Sequence, residues 1–201
     1  MTAEAVISQR VLPTLLALPR ISNKKQLITG EEFFWMNEVE QAELVKGEVV
    51  HMPPPGYIHA FTEHHFSRIL GNYVRQHKLG YVMVGEGGVY TKRKPDTVRG
   101  IDVAFISHER LAQVKSQTYL DVAPELIVEV LSPNDRWSNI TDKLEEYFAI
   151  GVKVVWVADP RKRYIYVYRS PAEVKRLTAN DELSGGDVLP NFRVPVAEFF
   201  E

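Results

Sequence analysis

The chain has 201 residues, 45% hydrophobic and 25% charged, and its 24 Lys and Arg against 26 Asp and Glu give a formal net charge of −2. These are ordinary values for a globular domain with one sizeable core, and they exclude nucleic-acid binding by bulk positive charge, so any such contact must use a local basic patch. There is no cysteine, which removes disulfides, thiolate-ligated zinc and thiol catalysis, and no apolar run reaches the roughly 20 residues of a membrane helix.

In chain order, residues 1–28 read as an N-terminal extension and 29–201 as one domain, with the polar run Ser22-Asn23-Lys24-Lys25-Gln26 at the boundary. Met1–Pro19 lacks a basic opening, carries Glu4 and Arg10 and is broken by Pro13, so it reads as amphipathic rather than as a secretion signal; the expected location is the cytoplasm. Thr29 with Glu32 three residues on, then Phe33, Phe34 and Met36, is a capping box before a helix. Ala42–Met52 reads as a hairpin around Lys46-Gly47, closed by Pro53-Pro54-Pro55-Gly56. Tyr57–Lys78 is a long helix whose stripe Ile58, Phe61, His65, Phe66, Ile69 and Tyr73 is expected to face the core, with Gly80 as its stop. Tyr81–Val84 and Val89–Thr91 read as two strands around Gly85–Gly88, followed by a basic turn, Lys92–Asp96. Two apolar, β-branched runs come next, Gly100–Ile106 and Glu125–Pro133, separated by a partly helical excursion over His108–Leu120. A helix from about Asn139, with Ser138 as N-cap and Gly151 past its end, faces the core through Ile140, Leu144, Tyr147 and Phe148. Val152–Ala158 and Tyr164–Tyr168 form a hairpin across Arg161-Lys162-Arg163, the second being a candidate edge strand, and Val194–Phe199 packs back on the domain. The order is that of an α/β protein with a mixed central sheet flanked by helices.

Each of the two apolar runs contains one acid, Asp102 in the first and Glu129 in the second. A carboxylate in such a run is costly to bury unless it is paired, protonated or bound to a metal. Adjacent strands lie about 4.8 Å apart, so one cation could bridge two acids on neighbouring strands. The structural alternatives are a turn hydrogen bond for Asp102 and a Lys or Arg from a covering helix for Glu129. Lys143 falls at the edge of the buried stripe of the following helix, beside Ile140 and Tyr147, while Asp142, Glu145 and Glu146 point elsewhere. It either reaches the two acids or snorkels at the helix boundary. His59 opens the long helix with Glu63 one turn on, a spacing that can support a metal or be a surface pair. Glu43 and Glu48 on the hairpin are further candidates, and the sequence does not choose between them. No organic cofactor is expected: Gly85-Glu86-Gly87-Gly88 lacks the Gly-Lys-Ser/Thr of a phosphate loop, and Ser132 has no nucleophile-elbow context.

Asp102 in one apolar strand, Glu129 in the next and Lys143 in the helix after it resemble the PD-(D/E)XK nuclease superfamily. The match is closer to its Uma-two branch of restriction-endonuclease-like proteins. The matching segments are Glu43–Glu48, Pro53-Pro54 with His59, Ile101-Asp102-Val103, Pro124–Pro133, Lys143 with Tyr147, Gly151-Val152 and Trp156–Pro160, in the family's order over about residues 29–200. Two positions depart from the pattern: Ile101 stands where the family has Pro, and Leu131 where it has Lys. The resemblance implies a restriction-endonuclease-like fold and divalent-metal hydrolysis of DNA phosphodiesters. Asp102 and Glu129 would be ligands for Mg²⁺ or Mn²⁺, Lys143 the displaced lysine, and His59 a supporting group. It also implies a homodimer, since restriction-type nucleases that cut both strands often act in pairs. The competing readings are a catalytically inactive nuclease-fold protein that binds nucleic acid or serves in an assembly, and a metal-dependent hydrolase of small phosphorylated molecules.

Overall fold

The computed structural model describes residues 26–36, 41–133 and 135–201, so nearly all of the expected N-terminal extension lies outside the described residues. Among those described, no helix is long and apolar enough to cross a membrane.

The architecture is a mostly antiparallel sheet between two helices. Helix α1 (Gly30–Phe34) begins at the expected capping box: the Thr29 hydroxyl accepts from the Glu32 N–H, and Glu32 accepts from the Thr29 N–H. The hairpin β1 (Ala42–Val45) and β2 (Glu48–His51) turns at Lys46-Gly47, both in the left-handed region. Helix α2 is Tyr57–His77, and strands β3 (Gly80–Lys92) and β4 (Thr97–Ser107) follow it. The short helix α3 (His108–Leu111) leads through a loop to β5 (Leu126–Val130), then α4 (Trp137–Ile150) and β6 (Val154–Asp159). Strands β7 (Tyr164–Ser170) and β8 (Glu173–Leu177) complete the main sheet, whose order is β2-β1-β4-β5-β6-β7-β8 with β3 paired to β4. A second, two-stranded sheet joins β9 (Glu182–Ser184) to β10 (Arg193–Pro195), and a 3-10 turn over Val196–Phe199 ends the fold. Among the described strands only the β5–β6 pair is parallel, and α4 is the crossover such a pair requires.

Each face of the sheet has its own core. On one, Phe66, Leu70 and Val74 of α2 pack on Val103, Phe105, Leu126, Val128 and Trp156, and the tail closes over them. Phe199 stacks on Phe66 at 4.4 Å, and each such buried aromatic contributes about 1.5–3 kcal/mol by area. On the other face, Ile140, Leu144 and Tyr147 of α4 pack on Ala104, Ile127, Val155 and Val157. Consecutive residues of β5 thus serve opposite cores, as strand alternation requires.

Five expectations are corrected. Of the stripe expected on α2, Phe66 is buried and Ile69 and Tyr73 pack against the core, but Ile58 and Phe61 are exposed with Tyr57, and the buried positions are His59, Thr62, Phe66, Leu70 and Val74; both faces of its first turns carry apolar residues, so periodicity alone could not choose. The helix stops at Lys78, which takes the left-handed conformation, and Gly80 opens β3 against the Ile106 carbonyl, where a side chain would collide. The two strands expected around Gly85–Gly88 are one strand, β3, carrying a bulge. Arg136, not Ser138, is the N-cap of α4, which begins at Trp137. The Tyr164–Tyr168 segment is an inner strand, because the unanticipated β8 covers its free edge.

Candidate active site

Strand β4 organises the site. One of its edges pairs with β3 along nearly its whole length. The other edge is shared: β1 meets it at Val98, and β5 meets it from Val103 to Phe105. Residues 99–102 lie in the fork between β1 and β5. The β4–β5 register, carried one step beyond Val103↔Val128, sets Asp102 opposite Glu129. There the side chain takes over from the ladder: Asp102 Oδ2 accepts the Val130 N–H at 2.6 Å.

The β3 edge delivers a third carboxyl. The ladder runs through Val84↔Val103 and resumes at Gly87↔Ile101, so Gly85 and Glu86 together face Asp102. Two residues opposite one is a bulge, a device that re-aims side chains. Gly85 and Glu86 have φ of 74° and 60°, a conformation that suits glycine and is held in Glu86 by its surroundings. Glu63, one turn after His59 on α2, accepts the Gly85 N–H at 3.0 Å. Although Glu86 is exposed as a residue, its carboxyl turns inward over Gly100, with Oε2 2.5 Å from the place a Cβ at position 100 would occupy.

Helix α4 supplies the cation. Lys143 Nζ lies 2.9 Å from Glu129 Oε2 and 3.2 Å from Glu43 Oε1. One turn on, the Tyr147 hydroxyl donates to Glu129 Oε1 at 2.6 Å. Arg99, in the fork, holds Glu43 at 2.8 Å and grips both oxygens of Glu146 at 2.8 Å. Glu129, Lys143, Glu43, Arg99 and Glu146 therefore form a chain of alternating charge. From α2, His59 Nε2 stands 3.3 Å from Asp102 Oδ2, and its buried Nδ1 has no partner among the described residues.

Carboxylates outnumber cations here, and protonation reflects it. Burial pushes Glu129 up to about 7 against the pull of Lys143. Burial of its carboxyl, and then Asp102 beside it, push Glu86 to about 8. Lys143 is drawn down by burial but held well above its ordinary range by Glu129, Tyr147 and Glu43, so it stays charged. Burial lowers His59, and Asp102 more than reverses this. Protons thus offset charge that a cation would otherwise offset.

A cleft of about 340 Å³ opens on these groups, walled by Met52–Gly56, Ser132 and Pro133 and lined by Glu43, His59, Glu86, Asp102, Glu129 and Lys143. All four sequence-derived candidates, Asp102, Glu129, Lys143 and His59, meet in it. Of the two hairpin acids, Glu43 lines the cleft and Glu48 does not. Glu146, expected to point elsewhere, turns inward because Arg99 gives it a bidentate partner. Glu86 was hidden in a glycine run that reads as a turn, and Arg99 carries no sequence signal of its own. The oxygen donors are of the class that suits Mg²⁺ or Mn²⁺. Among the described residues no three acid or imidazole side chains stand in ligating geometry, but Mg²⁺ commonly takes one or two carboxylates and completes its shell with water and phosphate. The paired acids fit that requirement.

Comparison with known proteins gives a consistent result. No curated protein matches the chain. Among solved structures, one described as a "putative nuclease belonging to DUF820" from Anabaena variabilis ATCC 29413 superposes with a TM-score of 0.72 at 18% identity, covering 86% of this chain and 97% of that one. At that identity the likeness establishes a shared fold. The model of the Uma2 family, described as "Putative restriction endonuclease", matches residues 30–197, and the chain belongs to that family.

Proposed function

We propose that the protein is a metal-dependent endonuclease that hydrolyses phosphodiester bonds of DNA, with 29–201 as the catalytic unit. The observation that carries this reading is Lys143: it reaches from α4 to Glu129 at 2.9 Å, across the strand pair that sets Glu129 opposite Asp102. Lys143 would thus supply, from another element, the cation that Leu131 cannot. Asp102 and Glu129 would hold Mg²⁺ or Mn²⁺, which supplies Lewis-acid charge at the scissile phosphate.

The remaining steps belong to the chain's own groups. Lys143 would position the attacking water or stabilise charge developing on the phosphate. Tyr147 orients Glu129 by occupying its second oxygen, and Arg99 fixes Glu43, which steadies Lys143 from the far side. His59, close to Asp102 through Nε2 and with Nδ1 unpartnered among the described residues, would hold or pass a proton. No covalent intermediate is required. We also propose a cytoplasmic homodimer, which light scattering would reject by showing a monomer at all working concentrations.

A second reading, a nucleic-acid-binding protein without catalysis, is favoured by one feature: both partners of Lys143 are carboxylates of the chain itself. Incubation of supercoiled plasmid with Mg²⁺ or Mn²⁺, with and without chelator, separates the two. Metal-dependent nicking supports the enzyme; intact plasmid with retained nucleic-acid binding supports the alternative.

A further inference from the structure

The exposed residues of α2 lead away from the carboxylate cleft. Tyr57, Ile58 and Phe61 are 72%, 47% and 62% exposed, and the rings of Tyr57 and Phe61 meet edge to face at 5.8 Å. Beside them lies a cavity of about 170 Å³ lined by Tyr57, Ile58, Leu131, Pro133, Pro160 and Arg161. It shares Gly56, His59 and Pro133 with the cleft that holds Asp102 and Glu129. A second cavity of about 220 Å³ continues along the helix past Phe61, with Ile58 and Pro160 as walls common to both.

We propose that this is a track for unpaired nucleobases, so that the strand to be cut is bound single-stranded. The inference rests on the nuclease reading above and names its substrate class. The base next to the scissile phosphate enters the Leu131 cavity, and its neighbour stacks on Tyr57 and Phe61. Four observations favour this occupant. The first cavity is smaller than the roughly 300–1,000 Å³ of drug-sized ligand sites, which suits one ring system and not a base pair. Its walls are apolar apart from His59 and Arg161, and apolar and aromatic surface serves a base only when its face is out of the duplex stack. Leu131, where the family pattern expects a lysine, gives the cavity an apolar wall. Finally, Arg161 begins the turn Arg161-Lys162-Arg163; Lys162 and Arg163 sit near Asp159 and Glu201, whereas Arg161 has no ion pair among the described residues and is available to a backbone phosphate.

The test uses the full-length protein in chelator, where cleavage is suppressed. An oligonucleotide carrying one 2-aminopurine is titrated as a single strand and as a duplex of the same sequence. The single strand should bind at least about tenfold tighter, with the probe quenched by stacking. The double variant Tyr57→Ala/Phe61→Ala, at exposed positions that leave the melting temperature unchanged, should lose at least about fivefold in single-strand affinity. Equal or tighter duplex binding, or an unchanged affinity in the variant, overturns the proposal. If plasmid is nicked while the single strand has no advantage, this inference fails and the nuclease reading stands. If nothing is bound or cut, both fail.

Discussion

Replacing Lys143 with Met keeps most of the buried stem and removes the charge between Glu129 and Glu43. Breaking a buried ion pair from one side typically costs about 3–5 kcal/mol. Here the cost depends on pH. Glu43 retains Arg99, and Glu129 retains the Tyr147 hydroxyl. Glu129 already titrates near 7 because it is buried, and loss of Lys143 pushes it higher, so the orphaned carboxyl takes up a proton. Near pH 6 that proton is already in place, and the loss should be only about 1 kcal/mol, the scale of one ordinary hydrogen bond. Near pH 8 the parent's Glu129 is ionised, and the loss should grow by the worth of about one pKa unit, ~1.4 kcal/mol, to roughly 2.4 kcal/mol. Thermal melts of parent and variant at the two pH values measure this difference. For catalysis, loss of a group acting on the transition state should slow plasmid cleavage at least about tenfold, or about 1.4 kcal/mol. Mn²⁺ binding, followed by calorimetry, should survive. A variant that cuts as fast as its parent would show that Lys143 is a packing residue, and equal destabilisation at pH 6 and pH 8 would refute the electrostatic argument.

Glu129, Glu86 and His59 all have values raised by folding, so the folded protein binds more protons than the unfolded chain from about pH 5 to pH 8. The metal-free melting temperature should therefore fall as pH rises through that window, and a rising curve would contradict the arrangement. Gly100→Ala should displace the Glu86 carboxyl, the flexible end of a side chain, and so cost less than about 1 kcal/mol in thermal melts; a larger loss would show that the carboxyl cannot give way. Arg99→Met leaves Glu43 and Glu146 without their shared cation and should cost about 3–5 kcal/mol in denaturant unfolding. A loss under about 1 kcal/mol would make Arg99 an ordinary surface charge.

How much of this was readable in advance depends on sequence distance. The capping box at Thr29, the hairpin at Lys46-Gly47 and the crossover α4 were legible because each is a local pattern. Asp102 and Glu129 were legible because an acid in a β-branched run contradicts its surroundings. Lys143 could be placed by counting around one helix. Glu86 could not: its approach depends on a bulge, and a bulge is defined by its partner strand, β4. Arg99 and Glu146 meet across 47 residues, and nothing local couples them. The first turns of α2 were misassigned, while Phe66, Ile69 and Tyr73 further along do meet the core, because periodicity shows that a helix has an apolar side but not which of two apolar sides is covered at its start. The inner position of Tyr164–Tyr168 depended on β8, whose Glu173–Leu177 sequence is almost wholly exposed and so carried little strand signal.

The most direct test of the central claim is a time course of supercoiled-plasmid nicking in Mn²⁺, run side by side for the wild-type protein and Asp102→Asn purified identically. The account predicts nicking by the wild type that chelator abolishes and that Asp102→Asn lacks, with the variant still folded by circular dichroism. Equal nicking by both proteins, or none by either in Mg²⁺ or Mn²⁺, would contradict it.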